Sequence, residues 1–569
     1  MEGVAPRETA RPAASGPTDA QADVVVVGGG GAGLPTALFA RWLGDEVVLL
    51  EKAPHLGGTA LKAAFWYWVP GNEPMRALGV EDPEEDFLRY CARLSRPERY
   101  DPDSPTLGLS PWELGQIRAI YESASPAAEL LAERGALPYR HCEAVPDYWA
   151  ELPEDKAPTG RVLVPVDARE TMSDGGENAI RTMSAAAERD GVDVRTGHRV
   201  QRVIVDGEAV VGVEATTADG ETVRIGARKA VVFASGGFTH DPELRANFLS
   251  APVYGGCAAI TNEGDLVRIA SPIGAQLRNM NNAWMCPIPI EKALARDPDL
   301  IGMFSVAGDS MLFVDKTGRR VVNEKLPYNE LAQTFFRWDP IAGEYPHLVL
   351  VQVWDERSQR HSASDEYGRL IVGDTGASDA HVIRGETLEE LGDNIRARFE
   401  KVAHATGGAA TSADFVDNLR ASIARFNELA QRGVDEDFGR GERAVQQLFN
   451  GDVKEEGPPA RTNPTMWPLA GEGPYYAALV TGGTLDTKGG PKATPDGQIV
   501  DDMDRPIPGL YGVGNCVASP SARAYWAGGA TLGPIIAFAY RAAQAAHAEP
   551  SRTGSLAGRL VREQTTTGG

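Results

Sequence analysis

The stretch Asp23–Gly33 reads DVVVVGGGGAG, a β-branched run that ends in a glycine turn. Gly28, Gly30 and Gly33 form a GxGxxG pattern there, with Gly31 and Ala32 inside it. The chemistry this permits is the holding of a pyrophosphate. The first glycine allows the tight turn, the second lets phosphate oxygens reach the backbone, and the third lets helix and strand pack closely. The phosphates then rest at a helix N-terminus, where N–H groups and the helix dipole favour negative charge. Glu51, followed by Lys52, ends the next apolar run, EVVLLE, and is placed to take ribose hydroxyls. A lone GxGxxG is a weak signal. One that follows a strand, opens a helix and is answered by an acidic strand end predicts a bound dinucleotide.

Those residues work only if a βαβ unit positions them. LPTALFARWL after Gly33 has a helical pattern, and the two flanking apolar runs read as buried parallel strands. From about Asp82 to Arg134 the pattern is helical and amphipathic, as in EEDFLRYCARL and SPAAELLAERG. From Asp193 to Phe233 apolar residues alternate around Asp-Gly turns, a β-rich stretch. Residues 284–468 mix loops, short strands and two helices, LEELGDNIRARFEKVA and FVDNLRASIARFNELAQRG. Strand-and-glycine character returns near Tyr475, and a helix is expected from about Leu532 to Ala548.

At 569 residues the chain is too long for one compact core. The expected fold is α/β: a Rossmann-like dinucleotide domain, split in sequence, with an inserted α+β domain for substrate and catalysis. The expected boundaries are a tail over 1–22, the first dinucleotide piece over 23–283 and the inserted domain over 284–470. The second piece follows over 471–548, and a second tail over 549–569.

The formal charge of −23, from 56 basic and 79 acidic residues, argues against nucleic acid or an anionic membrane surface as partner. Cys91, Cys142, Cys257, Cys286 and Cys516 are dispersed, without a CxxC pair or histidines at ligand spacing. They read as reduced thiols, and no metal site is expected. The start of the chain lacks an apolar signal segment, and no apolar run is long enough to span a bilayer, so a cytoplasmic location is expected.

Four further segments select FAD over NAD. His55-Leu56-Gly57-Gly58-Thr59 resembles the flavoprotein loop that runs beside the flavin. Val231–Gly237 (VVFASGG, with Ala234, Ser235 and Gly236) resembles the strand that returns to the dinucleotide in two-domain flavoproteins. GLYGVGN, with Gly514 and Asn515, resembles the late flavoprotein strand that contacts ribityl and pyrophosphate. Leu532, in TLGP, opens the last helix, whose dipole can face the flavin pyrimidine oxygen. Val200, in the β-rich stretch, completes the expected contacts. His55 is taken as a loop histidine and the FAD as non-covalent.

The chain resembles the fumarate reductase and succinate dehydrogenase flavoprotein superfamily, and within it the 3-ketosteroid Δ1-dehydrogenases. VVGGGGAG, EKAPHLGGTA, VPDYW, AWMCP, GRRVVNEKLPY, VDEDFGRGE, GPYYAALV, LDTKGG, GLYGVGN and AYWAGGATLGPIIAFAYRAAQ carry the resemblance, which spans about Asp23 to Ala545. It implies desaturation of a ketone to an enone: a polarised carbonyl, a base for the α-proton and a flavin to accept the β-hydride. The family's carbonyl-binding tyrosine falls on Tyr525 and its amide donor on Gly529. Its base falls on Tyr328, and the tyrosine that supports the base falls on Tyr148. An ordinary phenol with a pKa of about 10 is a poor base, so a supporting hydroxyl and an acidified substrate are required.

The resemblance implies an apolar small-molecule ketone, a 3-ketosteroid, as substrate; a non-steroid cyclic ketone is the alternative. Direction stays open, because enone or enoate reduction would use the same groups. No second nucleotide fingerprint is evident, so a quinone-like or other acceptor is expected. The fumarate reductase branch clamps a dicarboxylate with histidines and arginines, whereas this chain has Ala524-Tyr525-Trp526 at the late segment. Arg319, Arg320 and Arg523 are read as solvated or structural. Trp526 stands where the steroid enzymes usually have proline, Ala527 where glycine is usual, and Val145 where an aromatic can occur. Trp66, Tyr67 and Trp68 are read as cavity lining or ordinary packing.

Overall fold

The computed structural model describes residues 18–169, 174–298, 308–364, 381–448 and 462–552. The expected tails lie outside these over 1–17 and 553–569. The residues of the tails nearest the core are ordered: β1 (Ala20–Val27) starts inside the expected N-terminal tail, because Ala20–Ala22 pair with Ile225–Ala227. At the other end Arg552 donates its N–H to the carbonyl of Arg228.

β1 lies inside an eight-stranded sheet. Its other members are β2 (Val47–Leu50), β3 (Asp193–Arg195), β4 (His198–Asp206), β5 (Ala209–Thr217), β6 (Thr222–Phe233), β12 (Gln498–Val500) and β13 (Pro506–Gly512). The order β12-β13-β6-β1-β2-β3 is extended by β5 on β6 and β4 on β5. β1 is parallel to both β2 and β6, as its unbroken apolar run requires when both faces are covered. Val24 and Val26 face one core with α1 (Gly33–Trp42), α2 (Pro111–Glu133) and α6 (Leu532–Ala548). Val25 and Val27 face the other, beneath the β4–β5 hairpin. α2 begins with a capping box in which Ser110 and Glu113 satisfy each other's backbone N–H groups.

A second, five-stranded antiparallel sheet is formed by β7 (Ala283–Pro289), β8 (Met311–Val314), β9 (Leu350–Asp355), β10 (Ile383–Gly385) and β11 (Tyr475–Thr487). β11 lies in the segment expected to rejoin the dinucleotide domain, yet its hydrogen bonds go to β7, β9 and β10. It is the central strand of that sheet, and its far end points at the dinucleotide crevice. α4 (Leu388–Val402) and α5 (Phe415–Arg432) cover one face, and α3 (Tyr328–Gln333) packs on the other through Leu331 and Ala332. Among the described residues no helix is long and apolar enough to cross a membrane.

A small sheet of Tyr67–Trp68, Tyr139–His141 and Val162–Pro165 supports the loop that carries Tyr148. Beneath that loop Arg161, fully buried, pairs with Asp82, Asp147 and Asp155 and lies 5.4 Å from the Trp68 ring centroid. Burial pushes the carboxyl of Asp155 up to about 6 and that of Asp147 well above the usual carboxylate range. Removing the guanidinium leaves buried carboxylates without counter-charge. Arg161→Met is expected to destabilise the fold by about 3–5 kcal/mol in urea unfolding. The gap to wild type should narrow on mild acidification, since carboxyls with raised pKa values become neutral there and no longer need the cation. A gap that widens on acidification contradicts this.

Candidate active site

The glycine turn sits where β1 feeds α1, against the exit of β6. A Cβ built on Gly28 would lie 2.4 Å from the Ala234 carbonyl oxygen, so only glycine permits this approach. A Cβ on Gly31 would lie 3.0 Å from Leu532 and one on Gly514 2.8 Å from that of Ala32. The turn, the 234–236 loop, Gly514 and the start of α6 therefore converge on one crevice, although they lie far apart in sequence. Gly57 and Gly58 join it through a bridge between Gly30 and Gly57.

These residues fit FAD. A Cβ on Gly30 would lie 3.5 Å from the Gly57 carbonyl oxygen, an ordinary van der Waals contact, so the protein's own packing does not require glycine there and the bare backbone is left for a ligand that approaches closely. Neither Ala32 at the start of α1 nor Thr531 at the start of α6 caps its helix with a side chain, while Leu34 N–H and Gly533 N–H donate to the Gly30 and Gly529 carbonyls. The Ser235 hydroxyl is buried without a protein partner. Glu51 accepts from Gly29 N–H and Ala53 N–H, both at 2.8 Å, which holds its carboxylate at the lip of the turn.

The side chains of several other expected contact residues have partners within the protein. The Lys52 ammonium is turned to Asp265 at 2.5 Å and Glu263 at 3.7 Å. Thr59 Oγ1 accepts from Ala259 N–H at 2.9 Å, tying the flavin loop to the segment before Asn262. Val200 is buried on β4 and pairs with Ala215. The ring of His55 is exposed, with Nδ1 3.3 Å from the Leu56 carbonyl. The side chains of Tyr67 and Trp68 are fully buried in the core, the Trp66 ring borders Gly528, and Trp68 N–H donates to the Gly529 carbonyl at 3.1 Å.

Residue-by-residue reading missed Asp486, at the far end of β11. Its buried carboxylate accepts from Gly237 N–H (3.0 Å), Thr487 N–H (2.9 Å) and the Thr239 hydroxyl (3.0 Å). It also accepts from the amides of Asn262 (2.8 Å) and Asn515 (3.1 Å). Burial pushes this carboxyl up, and the hydrogen bonds oppose the shift. The stretch LDTKGG contained this residue and gave no sign of its partners, which come from distant loops.

Next to the crevice, Tyr148, Tyr328 and Tyr525 meet. Ring centroids are 5.6 Å apart for Tyr148 and Tyr328, 5.3 Å for Tyr148 and Tyr525, and 5.4 Å for Tyr328 and Tyr525. The Tyr148 hydroxyl donates to that of Tyr328 at 2.7 Å. Tyr328 is the first residue of α3, Tyr525 lies in the loop before α6, and Thr531 donates to the Tyr525 hydroxyl at 3.4 Å. Tyr148 and Tyr525 are buried, whereas Tyr328 keeps part of its surface open. Desolvation pushes the Tyr328 phenol well above its usual range and raises that of Tyr525. Gly529 has φ +83°, and a Cβ there would lie 2.6 Å from the Trp66 carbonyl carbon, so the turn below Tyr525 requires glycine.

Val145, Trp526 and Ala527, the differences from the steroid enzymes, pack in the same apolar core as Tyr148 and Tyr525. The Trp526 indole is buried and donates to Ser95 Oγ at 3.2 Å. Arg320 pairs with Glu324 and Asp435 at 2.7 and 2.8 Å, and Arg319 and Arg523 are exposed. A cleft bounded by Ile120, Trp284, Asn515, Thr531 and Phe538 adjoins the crevice.

The Gly30 cradle yields a direct test. Gly30→Val is expected to give a folded protein that purifies without the flavin absorbance, since its side chain would stand where the glycine turn lets phosphate oxygens reach the backbone. Unchanged flavin content after purification contradicts the assignment of this cradle to FAD.

The sequence family described as FAD binding domain matches residues 23–532. The chain is 31% identical to a 4-oxocyclohexanecarboxylate 2-dehydrogenase of Sinomonas cyclohexanicum, over 91% of this chain and 92% of that protein. It is 28% identical to a 3-oxosteroid 1-dehydrogenase of Mycobacterium tuberculosis, over 92% and 97%. In fold it matches a 3-ketosteroid Δ1-dehydrogenase from Sterolibacterium denitrificans with a TM-score of 0.76 and 24% identity, covering 93% of this chain and 99% of that one. The chain belongs to the FAD binding domain family and is an FAD-dependent dehydrogenase of the 3-oxosteroid 1-dehydrogenase and oxocyclohexanecarboxylate dehydrogenase type.

Proposed function

We propose that this dehydrogenase introduces a carbon–carbon double bond next to the ketone of an apolar cyclic substrate, a 3-ketosteroid. The observation that carries the reading is the tyrosine cluster, with Tyr148 donating to Tyr328 at 2.7 Å and both rings against Tyr525. In this reading residues 23–283 and 471–548 hold the cofactor and 284–470 form the substrate side. Gly28, Gly30–Gly33, Glu51, Lys52, Gly57–Thr59, Val200, Ala234–Gly236, Gly514, Asn515 and Leu532 would hold FAD, which when bound supplies the two-electron acceptor.

Tyr525 and the Gly529 amide donate to the ketone oxygen and stabilise the negative charge that develops there. The α-hydrogen becomes acidic as a result. Tyr328 takes that proton, and Tyr148 stabilises the Tyr328 oxygen while it is anionic. The mutual packing of the rings excludes water, which strengthens each of these hydrogen bonds. The electrons leave to a quinone-like or other acceptor.

A second reading, oxidation of a monocyclic oxo acid, is favoured by the 31% identity to the oxocyclohexanecarboxylate enzyme. Anaerobic titration of the flavin separates the two. Bleaching by 4-androstene-3,17-dione, with formation of the 1,4-diene, is the expected result. Bleaching by 4-oxocyclohexanecarboxylate alone moves the assignment to the second reading, and bleaching by neither overturns both.

Tyr328→Phe is expected to lower kcat by about 10²–10⁴-fold with little change in KM; near-full activity removes Tyr328 as the base. Because desolvation raises the Tyr328 phenol, its base form is a minority at neutral pH. The sign follows directly: kcat/KM should climb as pH rises through the alkaline range, and the climb should vanish in Tyr328→Phe. A wild-type profile that falls over that range contradicts the phenolate base.

A further inference from the structure

Lys488 is completely buried; the carboxylate of Glu330 acts on its amine electrostatically and the Arg523 guanidinium opposes it, and burial outweighs both. Its ammonium donates to the Ala524 carbonyl and lies 3.8 Å from the centroid of the Trp284 ring. On that ring Tyr525 packs, with centroids 4.7 Å apart. The backbone of Lys488 is itself held, with its N–H donating to Asn282 O at 3.0 Å and its carbonyl accepting from Ser519 N–H at 2.9 Å. Burial pushes the amine well below the usual lysine range, so the position is unfavourable for an ammonium. A methionine would fill the same space without that penalty, so what a lysine adds here is its donor.

The preceding carbonyl in the loop, that of Arg523, is held from the opposite side. Asn329 is 1% exposed and directly follows Tyr328. Its Nδ2 donates to Arg523 O at 3.3 Å and to Glu330 Oε1 at 2.9 Å, and its Oδ1 accepts from Met285 N–H at 3.2 Å. The Trp526 carbonyl accepts from the Tyr90 hydroxyl at 2.6 Å and from the N–H of Tyr148 at 3.1 Å. The backbone on both sides of Tyr525 is thus fastened to β11, to α3 and to the Tyr148 loop. The last two carry the other tyrosines.

We infer that Lys488 and Asn329 are positioning residues, which set the Tyr525 hydroxyl against Tyr328 by holding the Ala524 and Arg523 carbonyls. The inference rests on the reading of Tyr525 as the group that binds the ketone oxygen. Neither side chain touches the substrate in this account; each acts through the loop. Lys488 also fixes the Trp284 face on which the phenol lies. Removing either anchor leaves the three tyrosines present and lets Tyr525 drift.

The test uses the FAD-loaded enzyme carrying 3-fluorotyrosine, with the Tyr525 fluorine resonance identified from Tyr525→Phe. Lys488→Met and Asn329→Leu are each expected to shift or broaden that resonance while the flavin spectrum is retained. In turnover, each should lower kcat on the order of 10- to 100-fold, the scale of a displaced catalytic group, with KM within about threefold. The double variant Lys488→Met/Tyr525→Phe should be no slower than Tyr525→Phe within about twofold, because the lysine acts through the tyrosine.

An unmoved Tyr525 resonance, or losses that multiply in the double variant, overturns the inference. So does loss of folding or of FAD in both Lys488→Met and Lys488→Gln, which would assign the lysine to the fold. The fluorine measurement needs no substrate. A wild-type enzyme inactive on cyclic ketones therefore counts against the proposed function, and the resonance still decides the role of Lys488.

Discussion

The buried carboxylate of Asp486 is the interaction on which the rest of the architecture depends. An uncompensated carboxylate in a protein interior is expensive, by several kcal/mol even after relaxation. Here it is compensated by donors from the loop after β6, from Asn262, from its neighbour Thr487 and from Asn515. Those donors line the dinucleotide crevice, whereas Asp486 itself ends the central strand of the second sheet. One charge therefore locks the two sheets together at the crevice. Asn515 then passes the linkage on through a 3.4 Å hydrogen bond from the Trp284 indole, whose ring lies against Tyr525.

From that junction the tyrosine cluster follows. Each phenol arrives on a different element: a loop braced by buried Arg161, the first turn of α3, and the loop before α6. Such a cluster is poor chemistry without burial, since an exposed phenol at neutral pH neither gives nor takes a proton readily. Burial alone makes the Tyr328 anion harder to form. Tyr148 and Tyr525 push the Tyr328 phenol in the same direction as burial, so in the proposed reading the acidified ketone is what must favour proton transfer. The arrangement makes sense as a device that acts only when a polarised substrate is present.

The differences from the steroid enzymes acquire a structural meaning. Trp526, in the place usually taken by proline, turns its indole into the core toward Ser95 and Trp68, away from the tyrosines. Arg320, one of the arginines that could have met an anion, is consumed by Glu324 and Asp435 and lies over the rings of Phe426 and Phe438. The Trp526 change alters how the loop before α6 is supported, while the phenols stay together. That is consistent with relatives of similar identity acting on rings as different as a steroid and an oxocyclohexane acid.

The sequence by itself determined the βαβ unit, the glycine turn and Glu51, because these rest on short-range rules of period, turn and charge that a contiguous stretch displays. It also marked the stretches that hold the tyrosines, through their resemblance to a family. It could not show that β11 crosses to the second sheet, since a buried strand has the same apolar run whichever neighbours it pairs with. Nor could it show that the Lys52 ammonium pairs with Asp265, or that Tyr67 and Trp68 are core. Asp486, Lys488 and Asn329 were invisible as functional residues for a related reason. An Asp, a Lys or an Asn carries no mark of burial, and burial with partners from distant loops is what gives these three their roles. Only the tertiary structure decides that, because hydrogen-bond satisfaction in the interior is a property of what the folded chain brings within about 3 Å.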